Sequence, residues 1–267
     1  MADALAPTSS PSSGTAAPSW EPESTVRGQN VTLVRALSSL QGRSGRILEV
    51  GAGTARFLRA LRQRVPGLEG HACDLSRPAL DRARRHDGGL HVTQGDLTAL
   101  PYRDNSFDTV VAFDIFEHLY DPGQGLAEVW RVLKPGGQLH ALVPCEGQPL
   151  TLHWLMWKAN IGADLKEKSV GHVQRFTHAS LQALLDHHGF ERRSVSYSMH
   201  PLGQVKDILM HLEQGPEFSP RLRRNPFYRA LSTALWGGAY LESWLLRGVP
   251  LSAVALHVTA SKPCASS

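Results

Sequence analysis

Short apolar runs alternate with amphipathic stretches along most of this chain. The pattern predicts strands at 46–50, 68–73, 90–94, 107–113 and 138–143, with helices at 54–64, 76–86 and 122–133. Pro66-Gly67 and Gly88-Gly89 stand where helices should stop, and Lys134-Pro135-Gly136-Gly137 closes the helix at 122–133. Strands that read as near-continuous apolar runs suit a sheet buried on both faces. Their alternation with helices predicts an α/β fold, a doubly wound parallel sheet with helices on both faces. Ligands of such sheets sit beyond the carboxyl ends of the strands.

The flanking regions read differently. Residues 1–24 are rich in Ala, Ser, Pro and Thr, so they are expected to form a disordered tail ahead of a single domain at 25–267. The tail lacks the apolar segment of a secretory signal. Val31, Val34, Leu37 and Leu40 predict an amphipathic helix over 28–40. After residue 177 the periods change. Thr177 fits an N-cap and Gly189 a C′ stop, followed by strand 190–198 and a last strand from Leu251 to Ala260. Between those strands lies an insert at about 200–250, long for a connection and rich in apolar and aromatic residues such as Phe227, Trp236 and Trp244. Arg229, Glu242 and Arg247 break it up, so it falls short of the ~20 apolar residues that cross a bilayer. A hydrophobic lid, an interfacial helix, a dimer contact and plain packing all fit it.

Composition narrows the class. Hydrophobic residues make up 42% of the 267, ordinary for a globular protein, and the formal charge is only +4. The arginines are spread along helices, apart from Arg221, Arg223, Arg224 and Arg229, so no nucleic-acid stripe is present. Cys73, Cys145 and Cys264 are too few for a disulfide framework and point to a reducing, cytoplasmic setting. No Cys-x-x-Cys or His-Glu-x-x-His spacing indicates a zinc site, and Asp114 has no evident set of partner ligands. Heavy use of Ala, Arg, Gly and Pro hints at a GC-rich bacterial source.

The chemistry concentrates at Glu49-Val50-Gly51-Ala52-Gly53-Thr54-Ala55-Arg56. An apolar strand ends here in small residues and turns into a helix, which lets backbone and helix N–H groups approach a nucleotide-like ligand. A dinucleotide fingerprint needs a third glycine where this chain has Arg56, so a pyrophosphate reader fits poorly. Downstream, Cys73-Asp74-Leu75 and Gly95-Asp96-Leu97 end two more strands in acids. Phe107 to Asp114, Phe116-Glu117-His118-Leu119 and Leu126 to Gly137 follow in order. This ordered series resembles the class I S-adenosylmethionine (SAM)-dependent methyltransferases, in particular the small-molecule group that includes ubiquinone- and menaquinone-pathway enzymes. The resemblance covers residues 44–145 well and 170–200 loosely.

That resemblance implies a Rossmann-like seven-stranded sheet with the last strand antiparallel, and SAM as cofactor. It implies that Gly51, Ala52 and Gly53 pass the methionine moiety and that Glu49 organises its ammonium. Asp74 and Leu75 would meet the ribose, Asp96 and Leu97 the adenine, and Ala112 and Phe113 the floor near sulfur. Ala55 takes the place of the family's third glycine. His118 is the candidate general base, suited to proton transfer near neutral pH. His153, Trp157, His172 and Arg175 lie where acceptor-binding loops sit. The expected reaction is metal-free, in-line methyl transfer to O, N or C of a small, hydrophobic acceptor such as a specialised metabolite, quinone or lipid. A non-catalytic scaffold that binds SAM is the alternative. A membrane surface and a homodimer stay open as partners, and nucleic acid is excluded.

Overall fold

The computed structural model describes residues 30–160, 171–214 and 224–264, together with Ser219 and Leu222. The predicted tail at 1–24 lies outside the described residues, as do Arg221 and Arg223.

The chain forms helix α1 (Val31–Ser39), strand β1 (Gly45–Val50), α2 (Arg56–Arg64), β2 (Leu68–Asp74), α3 (Arg77–His86), β3 (His91–Gln94) and β4 (Phe107–Phe113). A short 3-10 turn at Phe116–His118 leads to α4 (Pro122–Val132), β5 (Leu133–Pro144), α5 (Leu152–Lys158), α6 (His178–His187) and β6 (Glu191–Ser198). Helices α7 (Pro201–Gln214) and α8 (Pro226–Leu245) precede β7 (Ala255–Ser261). The seven strands run in the order β3-β2-β1-β4-β5-β7-β6, and β7 pairs antiparallel with both β5 and β6.

Strand periodicity sorts the core onto two faces. Along β1, Ile47 packs with α1, α2 and α3, whereas Leu48 and Val50 pack with α4 and α6. In β4, Val111 and Phe113 join the first cluster, and Val110 and Ala112 the second. Period-two side chains buried on both faces require apolar residues throughout, which is why these strands read so clearly. Strand order reverses between β1 and β4, so the crevice beyond their carboxyl ends is the natural ligand site.

The helix starts are local. Asn30, Ser76, Asp121, Thr151, Thr177 and Asn225 each accept a backbone N–H from the first turn of the helix they cap. The described parts of the long insert are largely helical. α7 is pinned by Gln204, whose Oε1 accepts the Leu152 amide and whose Nε2 donates to the Met199 and Ser252 carbonyls. α8 packs on α7 but leaves Phe227, Trp236, Trp244 and Leu245 exposed. No helix among the described residues is long and apolar enough to cross a membrane.

Two histidines are locked inside the sheet. His140 on β5 meets the Thr259 hydroxyl at 3.2 Å, and His257 on β7 meets the Ser198 hydroxyl at 2.7 Å. Burial, reinforced by the Arg35 charge, lowers His140 from 6.5 to about 4 and pulls His257 well down too. Unfolded histidines bind protons near pH 6.5, so the unfolded state gains protons first as pH falls. Stability is therefore fully present above pH 6.5 and is lost progressively toward pH 4. At ~1.4 kcal/mol per pH unit, His140 alone removes on the order of 3 kcal/mol. Urea midpoints at pH 7.5 and 4.5 should differ accordingly, and His140→Gln should shrink the difference; equal midpoints would refute it.

Candidate functional site

The loop after β1 is built on left-handed backbone. Gly51 has φ +64° and Gly53 φ +52°, a region that side chains rarely adopt. A Cβ on Gly51 would fall 2.6 Å from Ile115, whereas a Cβ on Gly53 would meet nothing within 4 Å. One glycine therefore seats the loop on the segment after β4, and the other faces open space. Ala55, the N-cap of α2, also has φ +53°. Its small size is thus not the point: the third position of the loop needs a left-handed residue, and alanine bears that strain.

Acidic side chains stitch the strand ends together. Glu49 is buried, and its Oε2 accepts the Leu58 amide in the first turn of α2 at 3.1 Å. It joins strand to helix rather than lining an open wall. Asp74 is half-buried. Its Oδ2 accepts Gly53 N–H and its Oδ1 accepts Ser76 N–H, both at 2.7 Å. The Ala52 amide donates to the Cys73 carbonyl, and the Gly95 amide to the Asp74 carbonyl. The glycine loop and the ends of β2 and β3 thus share one rim. Asp96 is exposed on it, with Oδ1 accepting the Thr98 amide and hydroxyl at 2.8 Å each. Both acids cap loops while standing at the strand ends where a ligand would lie.

The predicted wall residues differ in exposure. Leu97 is 6% exposed and packs in the core under α4, so its side chain is not open to stack on a base. Leu75 stands exposed beside Asp74. Ala112 is fully buried, and Phe113 packs its ring 4.7 Å from Phe57. His153 is buried, with Nε2 3.0 Å from Asp207 Oδ2, and so ties α5 to α7. Trp157 is exposed, with the Lys158 and Arg175 cations 4.8 and 5.7 Å from its ring.

The turn after β4 meets the segment 171–176. The Glu117 carbonyl accepts the Val173 and Gln174 amides at 2.9 and 3.0 Å, and the Gln174 side chain donates to the Leu119 carbonyl. These bonds bring His172 against His118, with ring centroids 4.9 Å apart and the planes nearly perpendicular. His118 Nδ1 donates to the Gly171 carbonyl at 3.1 Å, and His172 Nδ1 to Glu146 Oε1 at 3.0 Å. Burial, then the neighbouring His172, holds His118 below its usual range, so its ring is neutral near pH 7. Glu117 is fully buried next to both rings. The ligand atoms of Glu117, His118 and His172 all lie within 4.8 Å of one another. Sequence spacing had indicated no such metal-compatible set. Asp114, the single candidate ligand read from sequence, belongs to neither metal-compatible group among the described residues.

Residues 48–141 match the family model described as a methyltransferase domain. The chain is 42% identical over 98 residues to a demethylmenaquinone methyltransferase of Deinococcus radiodurans, covering 35% of this chain and 41% of that protein. It is 29% identical over 167 residues to the malonyl-[acyl-carrier protein] O-methyltransferase of Salmonella typhimurium, covering 61% and 65%. The chain spans under half the length of the demethylmenaquinone methyltransferases it matches. Among solved structures, a geranyl diphosphate methyltransferase in complex with SAM superposes with TM-score 0.58 at 12% identity, over 86% of this chain and 84% of that one, a likeness of fold. Residues 48–141 thus carry a methyltransferase domain, and the strand order and strand-end acids around it agree with the class I SAM-dependent methyltransferases that the chain resembles.

Proposed function

We propose that this chain transfers a methyl group from SAM to a small, hydrophobic acceptor. The observation that carries this reading is Asp74, which holds the Gly53 amide at the sheet's reversal point and shares a rim with Asp96. SAM, when bound, supplies an electrophilic methyl group on a sulfonium. Gly51, Ala52 and Gly53 bring backbone N–H groups close to its amino-acid end, with Glu49 fixing the loop from beneath. Asp74 accepts the ribose hydroxyls with the lone pairs its backbone bonds leave over, and Leu75 gives apolar cover. Asp96 accepts the adenine amino group through the oxygen that Thr98 does not use. Ala112 and Phe113 form the rigid floor from below, through packing. This chain's main contribution to rate is orientation, holding an acceptor in line with the methyl group.

The acceptor side supports an apolar substrate. Trp157, Arg175 and the His118–His172 pair border it, and α7 and α8 pack alongside α5 and β6. Demethylmenaquinone and a malonyl-[acyl-carrier protein] are the methylated groups named for two relatives. An apolar quinol and an acyl thioester with a free carboxylate are therefore the first acceptors to test, together covering C and O methylation. The test is transfer of labelled methyl from SAM to such acceptors by the purified chain, with product mass by spectrometry. Product formation lost in Asp74→Ala is expected. SAM binding with no turnover of any acceptor would favour a scaffold, and no SAM binding would overturn the reading.

A further inference from the structure

We infer that Glu117, His118 and His172 form a divalent transition-metal site, with both imidazole Nε2 atoms and a Glu117 carboxylate oxygen as ligands. Glu117 Oε1 lies 3.7 Å from His172 Nε2 and 3.9 Å from His118 Nε2. Those gaps are too long for hydrogen bonds. They are close to what one shared ion needs: bonds of ~2.0–2.2 Å put neighbouring ligand atoms roughly 3–3.5 Å apart. Small side-chain rotations close the difference.

The tautomers point the same way. The Gly171 carbonyl can only accept, so His118 carries its proton on Nδ1. Glu146 likewise takes the Nδ1 proton of His172. Each ring then turns its Nε2 toward Glu117. An imidazole whose far nitrogen is held by a carboxylate or a backbone carbonyl is the usual supported metal ligand.

The site is closed on one side and open on the other. Glu117 and His172 are buried, but the His118 side chain is 31% exposed. Three protein ligands with a free position describe a catalytic rather than a structural metal site. The free position would take water or an acceptor oxygen. This role replaces proton transfer by His118, because its Nε2 lone pair is the ligand. The second cluster of similar composition, Glu69, His71 and His91, does not qualify. The Arg46 guanidinium Nε already stands 3.4 Å from His71 Nε2 and 3.6 Å from Glu69 Oε1, where an ion would go.

The inference does not depend on methyl transfer, and its test is kept separate. The full chain, stripped with chelator and dialysed, is titrated calorimetrically with zinc chloride, and its visible absorbance is followed with cobalt chloride. One Zn2+ per chain at micromolar affinity or tighter is expected, with a Co2+ spectrum of low coordination number. His118→Ala and His172→Ala should each abolish both signals. Glu146→Gln should weaken binding by ~10–100-fold, because it touches the ligand and not the metal. His91→Ala should change nothing. Thermal melts establish that each variant is folded, and the half-exposed His118 is the safest to replace. No Zn2+ uptake by the wild type, or uptake that survives both histidine variants, overturns the site. SAM titration of the same samples reports on the methyl-transfer reading independently, through Asp74.

Discussion

Replacing Asp74 with alanine is expected to weaken SAM binding by at least ~100-fold and to lower thermal stability at the same time. Each of its oxygens accepts a backbone amide at 2.7 Å, one in the glycine loop and one at the start of α3. Bonds of this charge-assisted kind contribute roughly 1.5–3 kcal/mol each, and about 1.4 kcal/mol is a tenfold change in affinity. Alanine would release Gly53 from its anchor and remove the acceptor for the ribose together. Asparagine is not a mild substitute. Its amide nitrogen would face one of the two backbone donors, so Asp74→Asn should lose stability nearly as alanine does. Calorimetry with SAM and thermal melts of wild type, Asp74→Ala and Asp74→Asn check both halves. An Asp74→Ala protein that binds SAM within threefold of wild type would show that Asp74 serves only to cap the loop.

Much of this arrangement is legible from the sequence, for identifiable reasons. The strands of a doubly wound sheet are buried on both faces, so β1 and β4 announce themselves as apolar runs within a residue of their ends. The last strand is less clear. The apolar run begins at Leu251, but Leu251 is exposed in a turn with Ser252 at φ +58°, and pairing starts only at Ala255. β5 begins earlier than its pattern, directly after α4 at Leu133, because the Lys134 to Gly137 segment is already part of the ladder.

The site divides along the same line. The glycine loop and the strand-end acids are local motifs, so their neighbours in sequence give them away. The acceptor side is assembled from distant segments. Gly171 is 53 residues from His118, and Glu146 is 26 from His172. Nothing in the spacing joins them; the backbone bonds from Val173 and Gln174 to Glu117 do. His153 has a distant partner of the same kind. Lying between a leucine and a tryptophan on a short helix, it looks like a pocket wall, but its partner is Asp207, 54 residues on. Ala55 shows a further limit, since residue size is readable from sequence and φ is not.

The two loop glycines should fail in different ways when replaced by alanine. Both need left-handed backbone, which costs an L-residue roughly 1–2 kcal/mol. At Gly53 little else is lost inside the protein, because the added Cβ meets only open space. That space is where a bound ligand would approach the backbone. Gly53→Ala should therefore melt within a few degrees of wild type yet bind SAM at least ~10-fold more weakly. At Gly51 the Cβ would collide with Cγ1 and Cδ1 of Ile115 as well. Ile115 packs against the core and leads into the turn that carries Glu117 and His118, so it has little room to retreat. Gly51→Ala should cost on the order of 3 kcal/mol and displace the acceptor side along with the loop. Adding Ile115→Ala should recover part of the lost stability by removing the collision, but not the share owed to backbone strain. Melting and SAM titration of the three variants decide it. A Gly51→Ala protein as stable as Gly53→Ala would mean that the loop does not rest on Ile115, and that the two halves of the site are not mechanically joined there.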